Sequence, residues 1–105
     1  MTTKVLKVLE IELLIQEINP PNLVIKVKGE VTSGGWTNAR LVPYIYIAPP
    51  VDGIYEFDFV ADAPGGIITQ PIASIDAKPY TWEAFPEELK GVKVYASSNN
   101  LIEKI

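Results

Sequence analysis

The segment "GEVTSGGWTNARL", Gly29 to Leu41, holds the densest set of side chains suited to recognition in this chain. Gly34 and Gly35 expose backbone amides. Trp36 offers a flat indole face, and Asn38 and Arg40 carry directed hydrogen-bond donors. This set suits stacking on a sugar ring, a proline or a cation, with the amide and guanidinium fixing orientation. It equally suits a loop between strands, in which the glycines reverse the chain and Trp36 folds back over the core. Chain reversal is the commoner role of such glycines. A phosphate-binding loop is not expected, since no Gly-Lys-Ser/Thr is present and no helix is predicted to follow. The shorter "APGG", Ala63 to Gly66, lacks an adjacent basic residue and reads as a plain turn.

Two aromatic stretches are the next candidates. In "YTWEAFPEEL", Tyr80 to Leu89, Trp82 and Phe85 either cap an open end of the core or join Trp36 in an apolar patch for a protein partner. In "PYIYIAP", Tyr44 and Tyr46 share one face of an extended segment. A tyrosine ladder at a sheet edge suits docking of a peptide strand or a second subunit. Pro43, Pro49 and Pro50 are equally devices that block such pairing.

Bond-making chemistry finds less support. Histidine and cysteine are both absent, which removes the usual proton-transfer base, thiolate chemistry, disulfides and the commonest metal ligand. Ser74, Ser97 and Ser98 therefore have no histidine partner, and no motif supports a serine–lysine arrangement. Asp52, Asp58, Asp62 and Asp76 are spread over separate turns and strands, unlike the compact loop that calcium requires, so solvated surface is expected for each. No spacing singles out a carboxylate pair for glycoside hydrolysis.

Charge and length narrow the field further. The chain has 105 residues, a net charge of −4 and nine basic residues, no two of them adjacent. That length fits one domain, residues 1–105. A nucleic-acid binder shows a basic stripe, which is missing here, and anionic membranes are disfavoured for the same reason. The N-terminal "MTTKVLKVLEIELLIQEI" is interrupted by Lys7, Glu10 and Glu12 and does not read as a secretory signal. No segment reaches the roughly 20 apolar residues of a membrane-spanning helix, so a soluble, cytoplasmic protein is expected.

The elements that must carry these residues read as strands. Val5 to Ile18 fits alternation better than a helical stripe, with Leu9, Ile11, Leu13 and Ile15 on one face and a bulge near Leu14. "NPPN", Asn19 to Asn22, is a turn. "LVIKVKGEV" alternates most clearly, and Gly29 on its apolar face leaves room for a bulky neighbour such as Trp36. "RLVPYIYIA" puts Leu41, Ile45 and Ile47 on one face. "IYEFDFVA" sets Tyr55, Phe57 and Phe59 against Glu56 and Asp58. "IITQPIASIDA" is a weaker strand, "PEELKG" one helical turn, and "VKVYA" and "LIEKI" short strands. About seven strands separated by regular turn signals predict an all-β, two-sheet antiparallel sandwich, with a small barrel as the alternative. The architecture resembles that of immunoglobulin and fibronectin type III domains, without the Cys…Trp…Cys spacing of true immunoglobulin domains.

The function expected from these residues is a non-catalytic binding or interaction module, not an enzyme. Its patch comprises Trp36, Asn38 and Arg40, with Trp82 as a neighbour. The partner is a protein, a peptide or a second copy of the chain, and neither cofactor nor metal is implied. A carbohydrate-binding module would instead need both indoles exposed, coplanar and spaced to sugar rings. A small hydrolase would need two acids facing each other in a pocket, one with a raised pKa.

Overall fold

A computed structural model describes residues 1–65 and 71–105 of the chain. Among the described residues the regular elements are nine strands: β1 (Thr2–Lys4), β2 (Lys7–Gln16), β3 (Asn22–Val31), β4 (Thr37–Pro43), β5 (Ile54–Asp62), β6 (Ala73–Asp76), β7 (Tyr80–Glu83), β8 (Gly91–Tyr95) and β9 (Asn100–Lys104). The fold is all-β and built of two packed sheets, not a closed barrel.

Each sheet has one long central strand. In the four-stranded sheet that strand is β3, where Leu23, Ile25, Val27, Gly29 and Val31 are buried and Lys26 and Lys28 are exposed. β2 covers one of its edges. The other edge is shared end to end, with β7 against Asn22–Ile25 and β6 against Lys28–Val31. In the five-stranded sheet the central strand is β5, whose Phe57, Phe59 and Ala61 point inward. β4 lies along one edge; β8 and β1 share the other, and β9 follows β8. Splitting both edges in this way raises the strand count to nine, where the turn spacing had predicted about seven.

The β5–β8 pair is parallel, with Phe57 opposite Val94, which departs from the all-antiparallel expectation. The chain between these strands visits the other sheet through β6 and β7 before it returns, so a hairpin is not required. The core sits between the sheets. Phe57, Phe59, Leu23, Ile25, Val5, Val8, Val31, Val92 and Val94 are its largest fully buried side chains.

The N-terminal leucines resolve through a bulge, at a different place from the one expected. The β2–β3 register shifts between Val8 and Glu10, not near Leu14. Leu9 is the extra residue and turns to solvent, while Val8 and Ile11 face inward. Glu10 and Glu12 then lie opposite Lys28 and Lys26 on the wet face, a favourable cross-strand arrangement. Before the bulge the chain crosses from one sheet to the other. Val5 N–H donates to Phe59 C=O (3.0 Å), and the N–H groups of Ser97 and Ser98 donate to Val5 and Leu6 (2.8 and 3.0 Å). The Asn99 side chain takes the place of a strand there: its Oδ1 accepts from Val8 N–H and its Nδ2 donates to Val8 C=O, each at 2.8 Å.

Several expected boundaries shift. β4 ends at Pro43, because proline cannot extend the ladder as a donor; one more bond, Tyr44 N–H to Glu56 C=O (2.9 Å), follows it. Ile45 and Ile47 therefore do not reach the core face that Leu41 reaches. "PEELKG" forms a turn closed by Leu89 N–H on Pro86 C=O, not a helical turn. The first part of "IITQPIASIDA", residues 67–70, and Gly66 of "APGG" lie outside the described residues.

Gly29 is required for packing, and the bulky side chain pressed closest against it is Phe59, where Trp36 was expected. A Cβ there would meet Lys7 C=O at 2.3 Å and Phe59 Cε2 at 2.9 Å. Gly29→Ala must therefore push β2 or Phe59 aside and is expected to cost about 1–3 kcal/mol of stability. Urea denaturation measures this; an unchanged midpoint would mean that β2 and β5 do not approach so closely.

Candidate functional site

The residues singled out from the sequence fall at two ends of an elongated molecule, 46 Å along its longest axis. Trp36 immediately precedes β4, whose Thr37 pairs with Asp62. Trp82 pairs with Leu23 on β3, and its ring meets those of Tyr55 (5.2 Å) and Phe57 (5.9 Å) edge-on. Tyr55 and Asp62 are seven residues apart on β5, about 23 Å at the rise of a strand. Trp82 is thus not a neighbour of Trp36, and the two indoles do not form the paired platform that a carbohydrate module would need.

At the first end the polar groups satisfy one another. Arg40 Nη1 donates to Asn38 C=O (2.9 Å) and lies 3.6 Å from Asp62 Oδ1, while Nη2 reaches Thr2 Oγ1 (3.5 Å). Asp62 also accepts from Thr2 Oγ1 (2.6 Å) and Asn38 Nδ2 (3.3 Å). The bonds from Thr2 and Asn38, with the Arg40 charge behind them, hold its carboxyl below the usual range. Asn38 adopts a left-handed backbone, φ 55°, at the irregularity between Thr37 and Arg40. Trp36 is half-buried against the core, and its Nε1 is shut from solvent without an acceptor among the described residues. Asn38 and Arg40 therefore already spend directed bonds on pinning β4 to β5 and β1.

The second end holds an open recess of about 220 Å³ between β4, β5 and β7. It is lined by Pro43, Tyr44, Tyr46, Tyr55, Glu56, Phe57, Tyr80 and Trp82. Tyr46 meets Tyr55 edge-on at 5.6 Å, and Phe57 meets Tyr80 at 5.3 Å. The phenols are fixed by carboxylates: Tyr44 donates to Asp58 (2.9 Å), Tyr46 to Glu56 (3.0 Å) and Tyr55 to Glu88 (3.1 Å). Tyr95 on β8 donates to the other oxygen of Glu56, and Glu56 N–H donates back to the Tyr46 hydroxyl (2.9 Å).

Alternation explains why an apolar ridge flanks the recess. With Tyr44 and Tyr46 tied to β5, the residues between and after them must face away. Ile45, Ile47 and Val51 are 98%, 108% and 106% exposed. Single exposed aliphatics are ordinary, but here three fully exposed ones fall in the short segment that carries two of the recess tyrosines. Tyr44 and Tyr46 were visible in the sequence as a pair. Their union with Tyr55, Tyr80 and Trp82 depends on two sheets meeting, which no local spacing announces.

A wider depression of about 520 Å³ lies on the outer face of the four-stranded sheet, lined by Glu10, Glu12, Lys26, Lys28, Asp76 and Pro79 among others. Its acids and lysines largely face each other in register, so it has little net field to attract a charged ligand. Among the described residues no group of three or more metal-binding side chains converges, and no helix is long and apolar enough to cross a membrane. Comparison with known proteins gives no match from any family model, characterised protein or solved structure.

The tyrosine bonds carry a pH dependence. Burial first, then the bond to Asp58, pushes the Tyr44 phenol from 10 up to about 12. Burial likewise takes Tyr46 to about 12, with Glu56 both donating to its hydroxyl and accepting from it. A folded pKa above the unfolded one stabilises the fold fully below pH 10, and that contribution is lost as pH rises through about 12. In an ultraviolet titration the Tyr44→Phe/Tyr46→Phe variant is expected to show a smaller late, high-pH component than wild type, the raised Tyr55 and Tyr95 supplying what remains. Identical late components in the two proteins would contradict these bonds.

Proposed function

We propose that this protein is a non-catalytic interaction module that docks a protein or peptide segment at the open edge between β4 and β7. The reading rests on two observations together: the aromatic recess at that edge, and three fully exposed aliphatic side chains, Ile45, Ile47 and Val51, in the segment that follows β4. Apolar side chains held out by their neighbours' hydrogen bonds gain by being covered, at about 25 cal/mol per Å² removed from water. The recess is smaller than the ~300–1,000 Å³ of a typical small-molecule pocket, which favours an inserted side chain over a whole ligand. Tyrosine and tryptophan are also the residues that dominate binding hot spots. The contact surface expected from the sequence thus keeps Trp82 and moves away from Trp36, which packs on the core, and from Asn38 and Arg40, whose bonds are internal.

Affinity capture from the organism that encodes the protein separates the two ends. An Ile45→Asp/Ile47→Asp variant is expected to lose a partner that both wild type and Arg40→Ala retain. Loss with Arg40→Ala and retention with the double variant would reverse the assignment of the surface.

A further inference from the structure

We propose that the recess receives a cationic side chain, a lysine, methylated lysine or arginine, of the docked segment; this rests on the interaction surface assigned above. Five phenol or indole rings, Tyr44, Tyr46, Tyr55, Tyr80 and Trp82, line an opening whose one ionisable acid is Glu56 and which contains no basic residue. The negative faces of such rings attract an ammonium or guanidinium group within about 6 Å of the centroid. The phenols of Tyr44, Tyr46 and Tyr55 each donate to a carboxylate, which polarises the ring and keeps a negative charge behind it.

The molecule contains an internal example of the same unit. Tyr95 donates to Glu56, and Lys93 lies over the Tyr95 ring at 4.9 Å, with Lys4 at 5.8 Å. Tyr46 shares that carboxylate from the recess side. Among the described residues these are the lysines seated over a ring, and neither lines the recess. The carboxylates of Asp58, Glu56 and Glu88 stand behind the recess phenols, and the lysine opposite Glu56 in register, Lys93, is turned to the Tyr95 ring. The carboxylates behind the phenols and the rings of the lining thus agree on the sign of the occupant.

The test uses the full chain, isotope-labelled, titrated with choline and separately with neohexanol, its uncharged isostere. Tryptophan indole N–H and backbone signals are followed by NMR, with Trp36 at the far end as the internal control. Choline is expected to shift Trp82, Tyr55 and Tyr80 saturably and to leave Trp36 unmoved, and neohexanol to bind about tenfold more weakly. Trp82→Ala is expected to abolish the choline response while the remaining spectrum stays folded. Equal binding of the two probes, or no response to choline, would overturn the cation assignment. Failure here together with partner loss in the Ile45→Asp/Ile47→Asp variant would leave the docking surface standing and remove only the cationic occupant.

Discussion

The two-faced character of β5, broken only at the buried Val60, is the constraint on which the structure depends. Its inward side chains, Phe57, Phe59 and Ala61, are almost wholly buried and supply the two largest side chains of the core. Its outward side chains, Glu56, Asp58 and Asp62, each receive hydrogen bonds from other strands or from the segment after β4. A shift of one residue would put the phenylalanines in water and the carboxylates in the core, and both penalties act on the same strand. Register is therefore specified twice, and every neighbour of β5 inherits it.

The two ends of the molecule follow from that strand. At Asp62 the carboxylate gathers Thr2, Asn38 and Arg40, which fastens the terminal strand β1 and the irregular start of β4. At Tyr55 and Glu56 the strand meets the segment after β4, where the ladder ends at Pro43 and side-chain bonds take over. A proline at an edge strand ordinarily discourages further pairing. Here it also frees Tyr44 and Tyr46 to close onto carboxylates, and that closure turns Ile45 and Ile47 outward. Edge protection and an exposed apolar ridge thus arise from one device.

Much of the fold could be read from alternation. β3 and β5 show it most clearly, interrupted only by Val24 and Val60, and their inner faces are the ones expected. β2 obeyed the same rule only after a bulge whose location no residue type marks, since Leu9, like its neighbours, is a good strand former. The parallel β5–β8 pairing and the split edges were illegible, because they depend on how distant segments share one strand. The site divides along the same line. Trp82 and the Tyr44/Tyr46 pair stood out by composition. Arg40 and Asn38 stood out as well, and only the distances to Asp62 and Thr2 show that their donors are engaged within the fold. Tyr55 was read as an ordinary strand residue and Tyr80 only as the start of the Trp82 aromatic stretch; nothing local tells that they line one recess from two sheets.

The most direct measurement is the set of through-space NMR contacts made by the two β5 phenylalanines. The account predicts contacts from the Phe57 ring to the Tyr80 and Trp82 rings, and from the Phe59 ring to the Gly29 α-protons. Contacts from either phenylalanine ring to the Tyr95 ring, on the opposite face, would contradict it.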